Sequence, residues 1–332
     1  MPAVMSRRRF ITFVAAAAGL PLLLKAGGSQ AKPVRWDGTA LGAPASIQLF
    51  HTGEAQARAA IAAGLRELKR LETIFSVYRA DSSISKLNRE GALENAPDDF
   101  IVMLTRALSL ARISDGVYDP TIQPVWQTYF RHFTASSPDP AGPSPRNLAA
   151  ALALVDWRAV EVDAGSKRIS FARPGMGLTL NSGAQGYITD RVADVLRAHG
   201  FDRMLVDMGE PRALSAKPDG SAWRVGIANP ADPSRAIVTL DVVDKCVSTS
   251  GGYGTLFDAK GSFTHLIDTR TGRTAPALLG VSVVADTGVV ADGLSTAMLM
   301  APAERRQHIL RSAGGQKAIY VTPEGVISTV EA

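Results

Sequence analysis

Residues 34–50 read VRWDGTALGAPASIQLF, and residues 54–75 read EAQARAAIAAGLRELKRLETIF. The first stretch alternates apolar with small or polar side chains on either side of Gly38–Gly42, the pattern of two strands meeting at a turn. In the second, Ile61, Leu65, Leu68 and Leu71 recur at helical spacing and predict an amphipathic helix over Glu54–Phe75. Working outward, a second helix is expected over about Asp98–Ile113, starting just after Pro97. Glu161–Asp163 and Arg168–Phe171 read as a hairpin. A helix over about Ala184–Ala198 follows, closed by Gly200. Strands are expected at Arg203–Asp207, Trp223–Ala228, Ile237–Val243, Val247–Ser250 and Val281–Ala285. Helices should then cover Val290–Met300 and Pro302–Ala313, with two short strands at Ala318–Val321 and Val326–Val330. Hairpins mixed with helices predict an α+β fold rather than a doubly wound parallel sheet. The stretch 134–145 (TASSPDPAGPSP) reads as a surface loop and is the best candidate for a lobe boundary, near 134–146. No G-x-G-x-x-G follows a strand and no G-x-x-x-x-G-K-[ST] occurs, so both common nucleotide fingerprints are absent.

The chain has 332 residues, 46% of them hydrophobic and 20% charged, which is enough for a large core and two lobes. The formal net charge of +5 comes mostly from residues 1–31, which hold Arg7, Arg8, Arg9 and Lys25 and no acid. The remainder carries 32 basic against 31 acidic side chains, so charge gives no case for nucleic acid or an acidic membrane surface. One cysteine, Cys246, excludes an intramolecular disulfide and a Cys-based zinc knuckle. Ser6-Arg7-Arg8-Arg9-Phe10, the apolar run Phe13–Leu24 and the small residues Ser29 and Ala31 follow the plan of an export signal cut after about Ala31. The paired arginines resemble a twin-arginine signal. The apolar run is shorter than the roughly 20 residues of a comfortable span and is interrupted by Pro21, so no stable membrane anchor is expected. A periplasmic mature protein, residues 32–332, follows, and a single free thiol suits that compartment.

Four polar clusters could carry chemistry. Tyr78–Asn88, just after the first long helix, sets an aromatic beside a polar run; it could stack a planar ring or be a solvated helix exit. In Ser114–Thr121, Asp119 could accept a hydrogen bond from ribose or adenine, or shape the turn before Pro120. Asn181–Tyr187 opens a helix, where bare amides favour phosphate and small residues also suit packing. Thr264–Gly272 holds His265, Asp268 and Arg270 close together. His51, His132, His199 and His308 have no partner motif and read as surface residues. Downstream, Asp292 and Thr296 are four apart and share a helix face. A carboxylate and a hydroxyl so placed can hold a hard cation such as Mg²⁺; alternatively they are a helix-start Asp and a Thr bonded to the preceding turn.

Together these stretches resemble the ApbE family of flavin transferases. The resemblance runs through Gly38-Thr39-Ala40-Leu41-Gly42, Phe75–Tyr78 with Asp81–Asn88, Tyr118–Thr121, Asn181–Asp190, Val206–Glu210, Trp223–Ile227, Ser248–Gly251, His265–Gly272 and Ala291–Thr296. It covers essentially everything after the signal. The twin-arginine signal further resembles the NosX branch, linked to nitrous-oxide respiration. The resemblance implies antiparallel sheets with flanking helices in two joined lobes and FAD in the cleft between them. It implies Mg²⁺-dependent transfer of FMN from FAD to a Thr or Ser of a target protein, a periplasm-facing respiratory protein, with release of AMP. Leu41 and Tyr78 would line the flavin, and Val117, Tyr118 and Asp119 would hold the adenosine half. Thr179, Gln185 and Leu266 would also lie at FAD. The carbonyl of Ala184, Asp292 and Thr296 would hold Mg²⁺, and His265 and Asp268 would lie near the incoming hydroxyl. Thr179 stands where the family is commonly acidic, and Thr269 replaces the usual Pro after Asp268. His265, with a reference pKa near neutrality, is a candidate base that Asp268 would push upward; Asp268 and Asp292 are the competing candidates. A Mg²⁺-dependent FAD pyrophosphatase and a non-catalytic periplasmic flavin carrier are the rival functions.

Overall fold

The computed structural model describes residues 33–50, 53–276 and 279–332. The expected signal at 1–31 and the reading of His51 fall outside the described residues.

The chain begins with β1 (Pro33–Ala40) and β2 (Ala43–Phe50), then α1 (Glu54–Phe75), α2 (Ser83–Glu90), β3 (Ala92–Leu93) and α3 (Asp98–Ile113). It continues through α4 (Gln123–Phe133), α5 (Pro145–Leu152), β4 (Val160–Asp163), β5 (Arg168–Phe171), α6 (Asn181–Ala198), β6 (Met204–Asp207) and β7 (Pro211–Leu214). It ends with β8 (Trp223–Asn229), β9 (Asp232–Val242), β10 (Cys246–Gly251), β11 (Gly280–Ala285), α7 (Gly288–Met300), α8 (Arg306–Ser312), β12 (Gly315–Val321) and β13 (Ile327–Glu331). Eight strands form one sheet in the order β1-β2-β6-β7-β10-β11-β12-β13, and every pairing in it is antiparallel. Two small sheets, β3-β5-β4 and β8-β9, complete an α+β architecture.

Helices α1, α6 and α7 pack side by side along this sheet, α7 against β10 and β11. The expected helix over Glu54–Phe75 forms with those bounds because its apolar residues make one stripe: Ala57, Ile61, Leu68, Leu71 and Phe75 are buried. In β2, Ala43, Ala45, Ile47 and Leu49 alternate inward to meet it. Truncating Leu71 to Ala would cost about 2–5 kcal/mol. Among the described residues, no helix is long and apolar enough to cross a membrane.

Several elements, β3 among them, were not evident in the sequence pattern. Helix α2 occupies most of the polar run read as a helix exit, with Ser82 capping its start through Ser85 N–H and Gly91 closing it in the left-handed region. Helices α4 and α5 flank the Pro/Ser-rich stretch, and the four-residue β7 follows the Gly209 turn. The stretch is a loop, as its composition indicates. However, α4 and α5 pack on each other in one cluster with Tyr129, Leu148, Ala151 and Leu152. The loop therefore joins two helices that pack on each other.

Candidate active site

A deep open cleft, with about 1800 Å³ of empty space counting its mouth, gathers residues from widely separated parts of the chain. Leu41, Tyr78, Val117, Tyr118, Asp119, Thr179, Gln185, His265, Leu266, Asp292 and Thr296 all line it. Ala184 and Asp268 do not.

Each wall has a local cause. Leu41 sits in the left-handed region (φ 48°), an unusual state for a branched residue, held by a 2.9 Å bond from its N–H to Glu72 of α1. Tyr78 stands at the mouth, 64% exposed. Helix α3 ends in a left-handed pair, Asp115 and Gly116, whose Gly116 N–H returns to the Ala111 carbonyl, and this turn delivers Val117–Asp119 to the cleft. Asp119 serves the turn-shaping alternative. Its carboxylate accepts from Thr121 N–H (2.8 Å), Thr121 hydroxyl (2.7 Å) and Trp157 N–H (3.0 Å), so little of it is left for a nucleotide. The Thr269 hydroxyl donates to the Gly116 and Val117 carbonyls, tying this turn to the His265 loop.

The start of α6 is broken. Ser182 (φ −85°, ψ 97°) and Gly183 (φ 117°) are not helical, and a regular helix runs only beyond them. Tyr118 hydroxyl donates to the Ser182 carbonyl at 3.0 Å. Ser182 lines the cleft, whereas Ala184, the expected donor, is 1% exposed and does not line it.

Asp292 on α7 is buried and accepts Gly186 N–H at 2.9 Å. Burial pushes its pKa up to about 7, against the pull of the backbone N–H groups of Gly186, Gly183 and Gln185. Glu210 faces the same cleft, equally buried, and is driven well above the usual carboxylate range by burial and then by Asp292. Among the described residues, neither has a basic partner; the nearby Arg212 is paired with Asp190. Thr296 hydroxyl lies 2.9 Å from Ser250 Oγ, itself 2.8 Å from Ser295 Oγ. Glu210 and Ser250 lie within stretches that carry the resemblance, but the sequence alone gave them no role. The signal available for Glu210 was an acid directly after a turn glycine.

His265 is held by β-bridges on either side, and its Nδ1 lies 3.1 Å from the Thr255 carbonyl and 3.2 Å from Thr255 N–H. With Nδ1–H donated to that carbonyl, Nε2 carries a free lone pair on a residue that lines the cleft. Burial lowers the imidazole pKa to about 4, the opposite of the expected rise. Asp268 gives the imidazole no lift: its carboxylate accepts from Arg270 N–H (2.8 Å), Nε (3.1 Å) and Nη2 (2.8 Å) and shapes its own turn. Burial works to raise the Asp268 pKa, but these bonds outweigh it and hold the group below its ordinary value. Asp268 is thus a turn residue with a committed charge and does not reach the cleft.

The donors fit a hard divalent ion. Two buried carboxylates lack a counter-charge among the described residues, and the Thr296 hydroxyl and Ser182 carbonyl add neutral oxygens. Among the described residues, no group of three or more His, Cys, Asp or Glu could hold a metal by itself. That suits Mg²⁺, which commonly takes one or two carboxylates and completes its shell with water and substrate phosphates.

The ApbE family model matches residues 41–320. The chain is 29% identical over 289 residues to the FAD:protein FMN transferase of Treponema pallidum, covering 81% of this chain and 79% of the relative. It is 28% identical to the enzyme of that name from Salmonella typhimurium, covering 73% and 71%. Among solved structures, the apo flavinyl transferase ApbE of Pseudomonas stutzeri superposes with a TM-score of 0.76 at 28% identity, covering 91% of this chain and 95% of the other.

Proposed function

The chain belongs to the ApbE family, and from that premise we propose that it takes FAD and Mg²⁺, transfers FMN through a phosphoester to a Thr or Ser hydroxyl of a partner protein, and releases AMP. The observation that carries this reading is the meeting, in one cleft, of two buried acids that have no basic partner among the described residues with the imidazole of His265.

Phosphoryl transfer requires charge neutralisation and in-line placement. Asp292, the Thr296 hydroxyl and the Ser182 carbonyl would hold Mg²⁺, which when bound supplies Lewis-acid neutralisation of the pyrophosphate oxygens. Leu41 and Tyr78 would flank the flavin ring. The backbone of Val117–Asp119 would meet the adenosine half, since the Asp119 side chain is already engaged. His265 Nε2 accepts the proton of the acceptor hydroxyl as its oxygen bonds to the FMN phosphorus and the bond to the AMP phosphate breaks. An imidazole with a pKa near 4 is neutral at pH 7 and ready to accept, although a weaker base than one matched to that pH.

Residues 1–31 are read as a cleaved export signal of the twin-arginine type, putting enzyme and respiratory acceptor on the periplasmic side. N-terminal sequencing of protein from that compartment tests this: Lys32 first supports it, and Met1 contradicts it. The transfer itself is tested by incubating the mature enzyme with FAD, Mg²⁺ and a purified acceptor domain bearing an exposed Thr, followed by intact mass of that domain. A gain of one FMN supports transfer. AMP release without a mass gain supports the pyrophosphatase, and neither product supports the flavin carrier.

A further inference from the structure

Helices α6 and α7 carry opposite sides of the acid pocket and touch almost backbone to backbone: a Cβ on Gly186 would lie 2.1 Å from the Gly288 carbonyl oxygen and 2.9 Å from Asp292 Cβ. Two reciprocal ties fix this crossing. Asp292 of α7 accepts Gly186 N–H of α6, and Asp190 of α6 accepts the first amides of α7, Gly288 N–H at 2.8 Å and Val289 N–H at 3.0 Å. The second tie replaces a local one. Thr287 occupies the cap position of α7, yet its buried hydroxyl makes no cap bond and has no partner among the described residues. The capping duty has passed to a carboxylate on another helix. Asp190 also bonds Arg212 Nη1, and both side chains are nearly buried. Arg212 lies on β7, two residues beyond Glu210. One carboxylate therefore joins the three elements that present Ser182, Asp292 and Glu210 to the cleft.

We infer that Asp190 is a positioning residue for the cation site: by capping α7 from α6 and pairing with Arg212, it sets the distance between Asp292 and the Ser182 carbonyl. Backbone amides at a helix start favour an anion, so a charged cap both stabilises α7 and fixes its axial position against α6. Asp190 lines neither the flavin nor the adenosine side of the cleft. The inference rests on the divalent-ion reading given above.

The test is Mn²⁺ binding to the full chain with FAD present, read as loss of the free-ion paramagnetic resonance signal. FAD binding in chelator, read by flavin fluorescence, is measured in parallel. Asp190→Asn keeps one acceptor, cannot satisfy both amides, and leaves Arg212 without its counter-charge. Mn²⁺ affinity should fall about tenfold or more while metal-free FAD affinity stays within twofold. The Mg²⁺ concentration for half-maximal transfer should rise by a similar factor, with kcat largely recovered at saturation. If Asp190→Asn does not fold, Asp190→Glu carries the test. It keeps the charge but displaces the cap by one methylene, and should weaken Mn²⁺ several-fold with metal-free FAD affinity unchanged. Parent-like Mn²⁺ affinity in the folded variant would overturn the inference and leave the metal reading intact. A parent chain that takes up no Mn²⁺ would overturn the metal reading and this inference with it.

Discussion

The two ends of the α6–α7 crossing hold the same chemistry in opposite states. At one end Asp190 is buried, and burial pushes its carboxyl upward; Arg212 and two backbone amides work against that, and its bonding capacity is filled. At the other end Asp292 is equally buried and also amide-bonded, but no cation stands beside it among the described residues, and Glu210 adds a second acid. A charge taken out of water needs compensation, and among the described residues only the first end has it. The closed end is architecture; on the function proposed above, the open end takes a cation brought with the substrate.

Breaking the open end should have the largest effect. Asp292→Ala removes the charged donor and should slow FMN transfer by on the order of 10³-fold, with far-ultraviolet dichroism unchanged and FAD still bound through its ring and adenosine contacts. A variant with parental Mg²⁺-dependent turnover would reduce Asp292 to a helix-packing residue. Removing the base across the cleft should cost less. His265→Ala should slow transfer by roughly 10²-fold, toward the low end for a general base because its pKa of about 4 is far from the working pH. FAD should remain bound, and the acid limb of the parent pH profile should lie near pH 4 rather than 6.5. Loss of FAD binding instead would make His265 a substrate contact.

A smaller effect sharpens the contrast without substrate. The Asp292 pKa is near 3.8 in the unfolded chain and about 7 in the fold, so between those values the folded state holds the extra proton. Stability therefore falls as pH rises from about 4 to 7, and the full penalty is present above 7. Asp292→Asn carries no such penalty. The two proteins should melt alike near pH 4, and at pH 8 without metal the variant should melt several degrees higher, an advantage on the order of 3 kcal/mol. Mg²⁺ with FAD should narrow or reverse the gap by stabilising the parent more than the variant. A gap between the two that does not change with pH would mean that Asp292 titrates normally.

The long periodic elements were legible in the sequence because burial enforces their pattern. Leu68, Leu71 and Phe75 mark α1 over its full length, and alternation marks β2. Some short elements were not legible. Helix α2 has eight residues and β7 four, too few for periodicity, and the Ser82 cap and Gly91 stop could be recognised only with the fold in hand. For the site, most residues named by the resemblance meet in the cleft, and the two that do not line it, Ala184 and Asp268, sit where local backbone geometry decides: beside the break at Ser182–Gly183, and in a turn where Arg270 bonds the Asp268 carboxylate. Long-range ties such as Asp190 to Gly288 leave no mark in a single sequence, because nothing local sets their spacing.

The most direct measurement is Mn²⁺ uptake by the parent chain and by Asp292→Asn, each with saturating FAD, followed by loss of the free-ion resonance. If the open end is a cation site, the parent takes up the ion and the variant binds at least tenfold more weakly, with both still quenching flavin fluorescence. Equal uptake by the two, or none by the parent, would contradict that account.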